Sequence, residues 1–214
     1  MTMSWDIDTS SSTSATYTGK YTDTYCDYSP TKKPRSSNFK SKGMEQLVRS
    51  GVITGGVALF GSRSSPAFND YDVLHRNNIR VYYSDPVVGG YDAPPRLFRY
   101  DYAVIIDAFE YIPELMGKAN IIKEALTTLR SKDAYIIMMA RTVEMVNKLA
   151  EDKKYKIVGD RFLITNNSAL KGFTMKGVEA EELIMTAHFA GAQAGEIDKN
   201  VKTDMVCVRA YPAR

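Results

Sequence analysis

The chain has 214 residues, of which 44% are hydrophobic and 25% charged, and its formal net charge is +3 at pH 7. This length suits one domain with a sizeable core, and so mild a charge permits contact with nucleic acid without indicating it. The two cysteines have no metal-ligand spacing, no apolar run is long enough to span a bilayer, and the amino terminus lacks the apolar core of a signal peptide, so we expect a cytoplasmic protein.

The first 42 residues differ from the rest, because they are rich in Ser, Thr, Tyr, Asp and Lys and carry almost no aliphatic side chains. Such a segment buries too little apolar surface to offset its ordering entropy. We therefore expect a disordered or loosely packed polar arm over residues 1–42, followed by one α/β domain over residues 43–214. A basic cluster near the end of the arm is either a solvated linker or a contact with nucleic acid. It consists of Lys32, Lys33, Arg35, Lys40 and Lys42.

Beyond the arm, the sequence predicts a short amphipathic helix over residues 44–48, which Gly51 is placed to end. Three short, continuous apolar runs follow at residues 57–60, 79–84 and 102–106. Runs of this kind, with β-branched and aromatic residues and polar residues at their ends, are typical of buried parallel strands.

Polar residues follow each of the three predicted strands. Gly61 comes after the first, Asp85 and Pro86 after the second, and Asp107 after the third. The carboxyl ends of parallel strands meet at one edge of the sheet, where ligands bind in this class of fold. A carboxylate that closes the second strand is the usual device for holding a ribose through its hydroxyls. The sequence therefore predicts a nucleoside-cofactor site at this edge.

The rest of the chain alternates helices and strands, which predicts a three-layer α/β sandwich. The stretch of residues 86–100 is rich in Gly and Pro and leaves little room for a strand plus a helix. The later predicted elements are a helix from Pro113 to about residue 129, a strand at 134–140, a helix from its cap Thr142 to about 151, a hairpin at 155–165 about Gly159, a helix at 178–189 and a strand at 204–211.

The order of these features resembles the class I S-adenosylmethionine-dependent methyltransferase fold over residues 44–211. Within that fold it is most similar to methyltransferases associated with bacterial DNA phosphorothioation systems. The similarity lies in residues 47–55 (LVRSGVITG), in Asp85-Pro86, in residues 107–113 (DAFEYIP) and in residues 171–175 (KGFTM). The resemblance implies a Rossmann-like, mostly parallel central sheet with an antiparallel carboxyl-terminal strand, and S-adenosylmethionine as the cofactor.

The first loop departs from the family pattern, which has several glycines there. Missing Cβ atoms let the backbone approach the ribose and methionine portions of the cofactor. Here the loop reads Gly61-Ser62-Arg63-Ser64-Ser65 and keeps only the first glycine. Arg63 either pairs with the methionine carboxylate or fills the pocket.

The resemblance places two sets of functional residues at this edge, and each has a structural alternative. Asp107 and Glu110 are the candidate catalytic residues, which would accept a proton or hydrogen bond from the methyl acceptor. Asp85 alternatively caps the turn before Pro86. Asp107 is alternatively a solvated strand end, and Glu110 alternatively caps the helix that starts at Pro113. The predicted cofactor-binding residues are Gly61, Ser62, Arg63, Asp85, Pro86 and Asp107.

The sequence contains neither of two common acceptor-specific signatures. It lacks the Asp/Asn-Pro-Pro-Tyr/Phe motif that methylates amino groups of bases, and it has no cysteine nucleophile near the predicted site. Methyl transfer needs little beyond alignment of the methyl group and exclusion of water, so activity is not excluded. We expect a methyltransferase acting on nucleic acid or a small molecule, or alternatively a non-catalytic binding or accessory module. A dinucleotide-binding oxidoreductase is disfavoured, since no complete G-x-G-x-x-G occurs.

Overall fold

A computed structural model describes residues 43–54, 56–61, 73–74, 76–88, 91–93, 97, 99–167, 169–194 and 205–213. All of them belong to one compact unit, Pro34–Arg214. The polar arm with its basic cluster, together with Ser62 and Arg63, lies outside the described residues. The predictions made for those positions, including the arm's boundary at residue 42, stay predictions.

Helices and strands alternate through this unit. The described helices are α1 (Gly43–Arg49), α2 (Leu115–Thr128), α3 (Val143–Lys153) and α4 (Ala180–Phe189), with a 3-10 helix at Phe109–Tyr111. The described strands are β1 (Val57–Gly61), β2 (Val81–Ser84), β3 (Tyr91–Ala93), β4 (Tyr102–Ile106), β5 (Tyr135–Ala140), β6 (Lys156–Val158), β7 (Arg161–Leu163), β8 (Thr174–Met175), β9 (Ala192–Ala194) and β10 (Val206–Pro212).

The main sheet has seven strands in the order β3-β2-β1-β4-β5-β10-β9. Its centre is parallel, because β1 pairs with β2 and β4, and β4 pairs with β5, in parallel register. The last strand, β10, runs antiparallel to β5 and to β9. The predicted Rossmann-like sheet with an antiparallel carboxyl-terminal strand is confirmed. A separate antiparallel sheet, β6-β7-β8, contains the predicted hairpin.

The sheet is buried on both faces, as its continuous apolar strands predict. Successive side chains of a strand point to opposite faces. Ala58 and Phe60 pack in one core with α2 and α4, whereas Val57 and Leu59 pack in a second core with α1. Two helical layers therefore enclose the sheet, and the predicted three-layer sandwich is confirmed.

Several element ends follow directly from local chemistry. The Oγ1 atom of Thr142 accepts a hydrogen bond from the Met145 N–H at 3.2 Å, so the predicted cap of α3 is confirmed. Gly51 has a φ of +71° after α1, a conformation that glycine adopts without strain. The helix expected from Pro113 begins at Leu115, because residues 109–111 first form the separate 3-10 turn.

The direction of strand β3 follows from the short connection between β2 and β3. A parallel neighbour would require a crossover of a dozen or more residues. Residues 85–90 are too few for that, and β3 instead returns antiparallel to β2, with Ser84 opposite Tyr91. The edge of the sheet next to β2 is thus closed by a hairpin-like return rather than by a strand and helix.

Cys207 is buried in β10, while Cys26 lies outside the described residues. Within the part of the chain that the structure describes, the longest apolar helices fall short of what crossing a membrane requires.

A close backbone contact joins the start of α3 to the segment that enters α4. Val178 N–H donates to the Arg141 carbonyl at 2.9 Å. A Cβ atom on the neighbouring Gly177 would overlap the backbone of Val143 and lie 2.7 Å from the carbonyl carbon of Thr142. Only glycine fits here, because backbone atoms cannot move aside as a flexible side chain can.

We predict that Gly177→Ala lowers the free energy of unfolding by about 1–3 kcal/mol, the usual cost of overpacking. Gly56→Ala is the matched control, since its Cβ would meet only the Arg80 carbonyl oxygen at an ordinary 3.8 Å. Urea denaturation of both variants checks the prediction. Equal midpoints for the two alanine variants would contradict the close contact.

Candidate functional site

The parallel strands end together at one edge, here named the carboxyl edge. Phe60 lies opposite Ser84 across β1 and β2, and Gly61 lies opposite Ile106 across β1 and β4. The register therefore brings Gly61, Asp85 and Asp107 to the same edge. The chain leaves β1 for β2 on one side and returns to β4 on the other, which makes the end of β1 the topological switch point where ligands bind in such sheets.

Asp85 is held in a fixed orientation by the turn that follows β2. Its Oδ1 atom accepts hydrogen bonds from the backbone N–H groups of Val87 and Val88, both at 3.0 Å. The side chain is largely buried, and Pro86 occupies the turn at half-buried depth. The turn-capping alternative is therefore present in the structure. A ribose contact by the same carboxylate stays a prediction, because one oxygen can cap a turn while the group also binds a ligand.

Tyr83, an aromatic residue of the apolar run at residues 79–84, joins the ends of β1 and β2. Its buried hydroxyl donates to the Gly61 carbonyl at 2.7 Å and lies 3.4 Å from Oδ2 of Asp85. A tyrosine hydroxyl has one hydrogen, and the shorter contact takes it. Tyr83 therefore ties the end of β2 to the strand-end glycine, and its hydroxyl lies beside the Asp85 carboxylate.

Asp107 is fully buried and forms an ion pair with Arg141, which follows β5 and is itself only 2% exposed. The residue adopts a φ of +53°, a left-handed conformation that aspartate tolerates better than most residues. The alternative that Asp107 is a solvated strand end is wrong, because the neighbouring elements cover it completely. Sequence reasoning missed Arg141, whose only signal was a cation directly after an apolar strand.

Glu110 is the second buried carboxylate at this edge. Its Oε1 atom accepts a hydrogen bond from the Arg141 backbone N–H at 2.6 Å and lies 4.0 Å from the Arg141 guanidinium. Its Oε2 atom has no hydrogen-bond partner among the described residues. The helix after it begins with Glu114 at the cap position, so the alternative that Glu110 caps this helix is wrong.

One guanidinium thus faces two carboxylates, and all three side chains are buried. Burial raises the pKa of Glu110 to about 7, with Asp107 adding to the rise and Arg141 opposing it. Burial alone would lower the pKa of Arg141, but Asp107, Tyr111 and Glu110 together outweigh it and hold that pKa above its ordinary range. Arg141 therefore stays charged, Asp107 is its closest counter-ion, and Glu110 is the acid that gains a proton near neutral pH.

The two candidate catalytic residues are brought together by this cluster, but neither side chain has exposed surface. A group with a pKa near 7 is suited to exchange protons at physiological pH. Direct contact with a substrate would require the crevice to reach Glu110. The catalytic role of both residues stays a prediction.

Metal chemistry has no support in the described ranges, where no three His, Cys, Asp or Glu side chains are arranged to hold an ion. His188 lies exposed at the end of α4, and His75 falls outside the described residues. The described site consists of carboxylates, a guanidinium, tyrosine hydroxyls and backbone groups.

No protein-family model matches the sequence, and no curated protein is similar to it. Solved structures give weak matches. A methyltransferase of Methanosarcina mazei is 13% identical with a TM-score of 0.46, covering 83% of this chain and 94% of that one. A Bacteroides fragilis methyltransferase in complex with S-adenosyl-L-homocysteine is 14% identical with a TM-score of 0.48, covering 85% and 80%. Similarities at this level assign neither a family nor an activity to the chain.

We predict that Glu110→Gln changes how stability depends on pH. The folded pKa of about 7 lies above the usual value of 4.5, so protonation of Glu110 favours the folded state. That contribution is complete below pH 4.5 and is lost as the pH rises to about 7. Relative to the glutamine variant, the natural protein should lose roughly 3 kcal/mol of unfolding free energy across this window, measured by urea denaturation.

Glu144→Gln is the control for this experiment. The pKa of Glu144 is lowered by its hydrogen bond to Lys148, so its stabilising contribution is already complete at mildly acidic pH. This variant should run parallel to the natural protein from about pH 5.5 to about pH 8. Parallel curves for Glu110→Gln as well would show that Glu110 does not titrate in the folded state as described.

Proposed function

We propose that the chain binds S-adenosylmethionine at the carboxyl edge where β1 and β2 end and transfers its methyl group to an acceptor bound beside the end of β4. One observation carries the proposal: Asp85 closes β2 directly beside Gly61, at the switch point of a sheet with this strand order. The resemblance of the residues around it to class I methyltransferases selects S-adenosylmethionine among nucleoside cofactors.

Asp85 suits the ribose because its orientation is set before any ligand arrives. The Val87 and Val88 N–H groups hold Oδ1. Little side-chain conformational entropy is therefore lost when the ribose hydroxyls donate to the carboxylate. A carboxylate offers about four acceptor positions, which leaves capacity for both roles. Gly61, without a Cβ, would let the cofactor approach the backbone at the end of β1.

The remaining cofactor contacts are assigned by the resemblance. Ser62 follows Gly61 in the first loop, Pro86 shapes the turn beneath the adenosyl group, and Arg63 would pair with the methionine carboxylate. When bound, the cofactor supplies a methyl group already activated on its sulfonium. The chain's own task is to align that methyl with the acceptor and to exclude water.

On the acceptor side, Glu110 is proposed to exchange the acceptor's proton, and Asp107 to hold Arg141 in place. The pKa of Glu110 near 7 supports its role, since such a group can take up and release a proton at physiological pH. The acceptor is either nucleic acid, to which the basic cluster of the arm points, or a small molecule.

A second candidate function is a non-catalytic binding or accessory module. The specific observation in its favour is that both acids on the acceptor side are fully buried and engaged with Arg141. Incubation with methyl-labelled cofactor and with DNA, RNA or a small-molecule cell extract separates the two functions. Cofactor binding without formation of S-adenosylhomocysteine would favour the module.

We predict that Asp85→Asn weakens binding of S-adenosylhomocysteine by roughly 10- to 100-fold, the worth of hydrogen bonds to a charged acceptor. Asparagine keeps an Oδ1 atom for the turn, so the loss reports the ligand contact rather than a disrupted loop. Calorimetric titration of both proteins measures the change.

Glu144→Gln, which removes an exposed carboxylate on α3, is the matched control and should bind as the natural protein does. Absence of heat with both S-adenosylmethionine and S-adenosylhomocysteine would overturn the proposed function. Equal affinity of natural protein and Asp85→Asn would remove Asp85 from the site.

A further inference from the structure

Positive charge is concentrated in one segment of the folded unit, here named the basic cap: residues 153–176, which include β6, β7 and β8. The cap contains six Lys and Arg residues against the single acid Asp160, a net charge of +5, whereas the whole chain carries +3. The rest of the chain is therefore net negative. So uneven a distribution creates a directed field at one part of the surface.

The basic cap is fixed against the acceptor side of the carboxyl edge. The Arg161 guanidinium donates to the Glu110 carbonyl at 2.8 Å, and the Lys176 N–H donates to the same oxygen at 3.0 Å. Tyr111 shares a buried cluster with the cap residues Leu170 and Met175. The cap thus packs on the 3-10 helix that follows β4.

Three lysines of the cap are available to a partner. Lys176 pairs with Asp160, and Arg161 is engaged by Glu110 and Thr174. By contrast, three others are exposed, with no carboxylate at ion-pair distance among the residues the structure describes. They are Lys154, Lys156 and Lys171.

Backbone contacts bring these lysines to neighbouring positions. The Asn166 side chain donates to the Lys153 carbonyl at 3.2 Å, which holds the loop that leads to Lys171 beside the end of α3. Lys156 lies opposite Leu163 across β6 and β7, and so shares a face of the small sheet with Arg161. A polyanion can therefore meet several lysines of the cap at once.

We propose that the basic cap is a nucleic-acid-binding surface, in which Lys154, Lys156 and Lys171 contact the phosphodiester backbone. Charge complementarity carries this assignment, because lysine contacts to phosphates supply most of the sequence-independent affinity for nucleic acid. The inference rests on the proposed function in one respect, which is that the bound strand serves as the methyl acceptor. Strand binding itself requires no cofactor.

A lipid surface is the competing partner. Ile157 and Val158, on the same hairpin, are 73% and 51% exposed, and apolar groups beside lysines also suit an anionic membrane. Nucleic acid is favoured because the cap packs against the edge where the acceptor is proposed to bind, which a bilayer could not enter. The two partners are separated by experiment.

The test uses the full chain without cofactor and fluorescein-labelled single-stranded and duplex DNA, with binding followed by anisotropy over a range of salt concentrations. Lys156→Gln/Lys171→Gln should weaken single-strand binding roughly tenfold or more at about 0.1 M salt. It should also reduce the slope of log K against log salt by about 1.4, because each phosphate contact with a single strand contributes about 0.7 to the slope and two contacts are lost.

Lys123→Gln/Lys132→Gln is the charge-matched control, with the same loss of two exposed lysines on α2 and in the loop before β5. It should bind DNA nearly as the natural protein does. The proposal is overturned if the natural protein does not bind DNA, or if both double variants lose affinity equally. It is also overturned if neither variant loses affinity, because DNA binding would then be assigned to the basic cluster of the arm. Binding to phosphatidylserine vesicles but not to DNA would assign the cap to membranes.

This experiment separates its own failure from that of the proposed function. Calorimetric titration of Lys156→Gln/Lys171→Gln with S-adenosylhomocysteine should match the natural protein, since neither lysine is placed in the cofactor site. DNA binding that depends on the cap without any cofactor binding would support the cap and remove the methyltransferase. Cofactor binding without DNA binding would support the cofactor site and remove the basic cap as a nucleic-acid-binding surface.

Discussion

The buried guanidinium of Arg141 is the constraint on which the carboxyl edge depends. It joins the end of β5 to Asp107 at the end of β4 and to Glu110 in the 3-10 helix. Its own backbone adds two connections, one to the Glu110 carboxylate and one to the segment that enters α4. Removal of one partner from such a pair leaves an uncompensated buried charge, a loss of about 3–5 kcal/mol, so these elements hold one arrangement.

This constraint divides the edge into two halves with different properties. On the half formed by β1 and β2, Tyr83 donates a hydrogen bond to the Gly61 carbonyl, and the Asp85 carboxylate is preset by its turn. On the half formed by β4 and β5, the ion pair and the basic cap cover the strand ends. Cofactor binding belongs to the first half in our account, and contact with the acceptor to the second.

Sequence patterns predicted what depends on local chain chemistry. Continuous apolar runs identified β4 to the residue, and the acids that follow β2 and β4 indicated which edge to examine. Arg141 was missed because a cation after a strand reads as a loop residue, and its burial depends on carboxylates more than thirty positions away. The charge of the basic cap lies within one segment of the sequence, but its position could not be predicted, because it depends on the pairing of β6, β7 and β8 and on their contact with the 3-10 helix.

Chemical-shift mapping with isotope-labelled protein and S-adenosylhomocysteine tests the division of the edge most directly. The amides of Val87 and Val88, which donate to Asp85, should shift strongly and saturably as the ligand is added. The amide of Tyr135, at the opposite end of the parallel strands, should not move. Shifts confined to that opposite end, or none at all, would contradict a cofactor crevice beside Gly61 and Asp85.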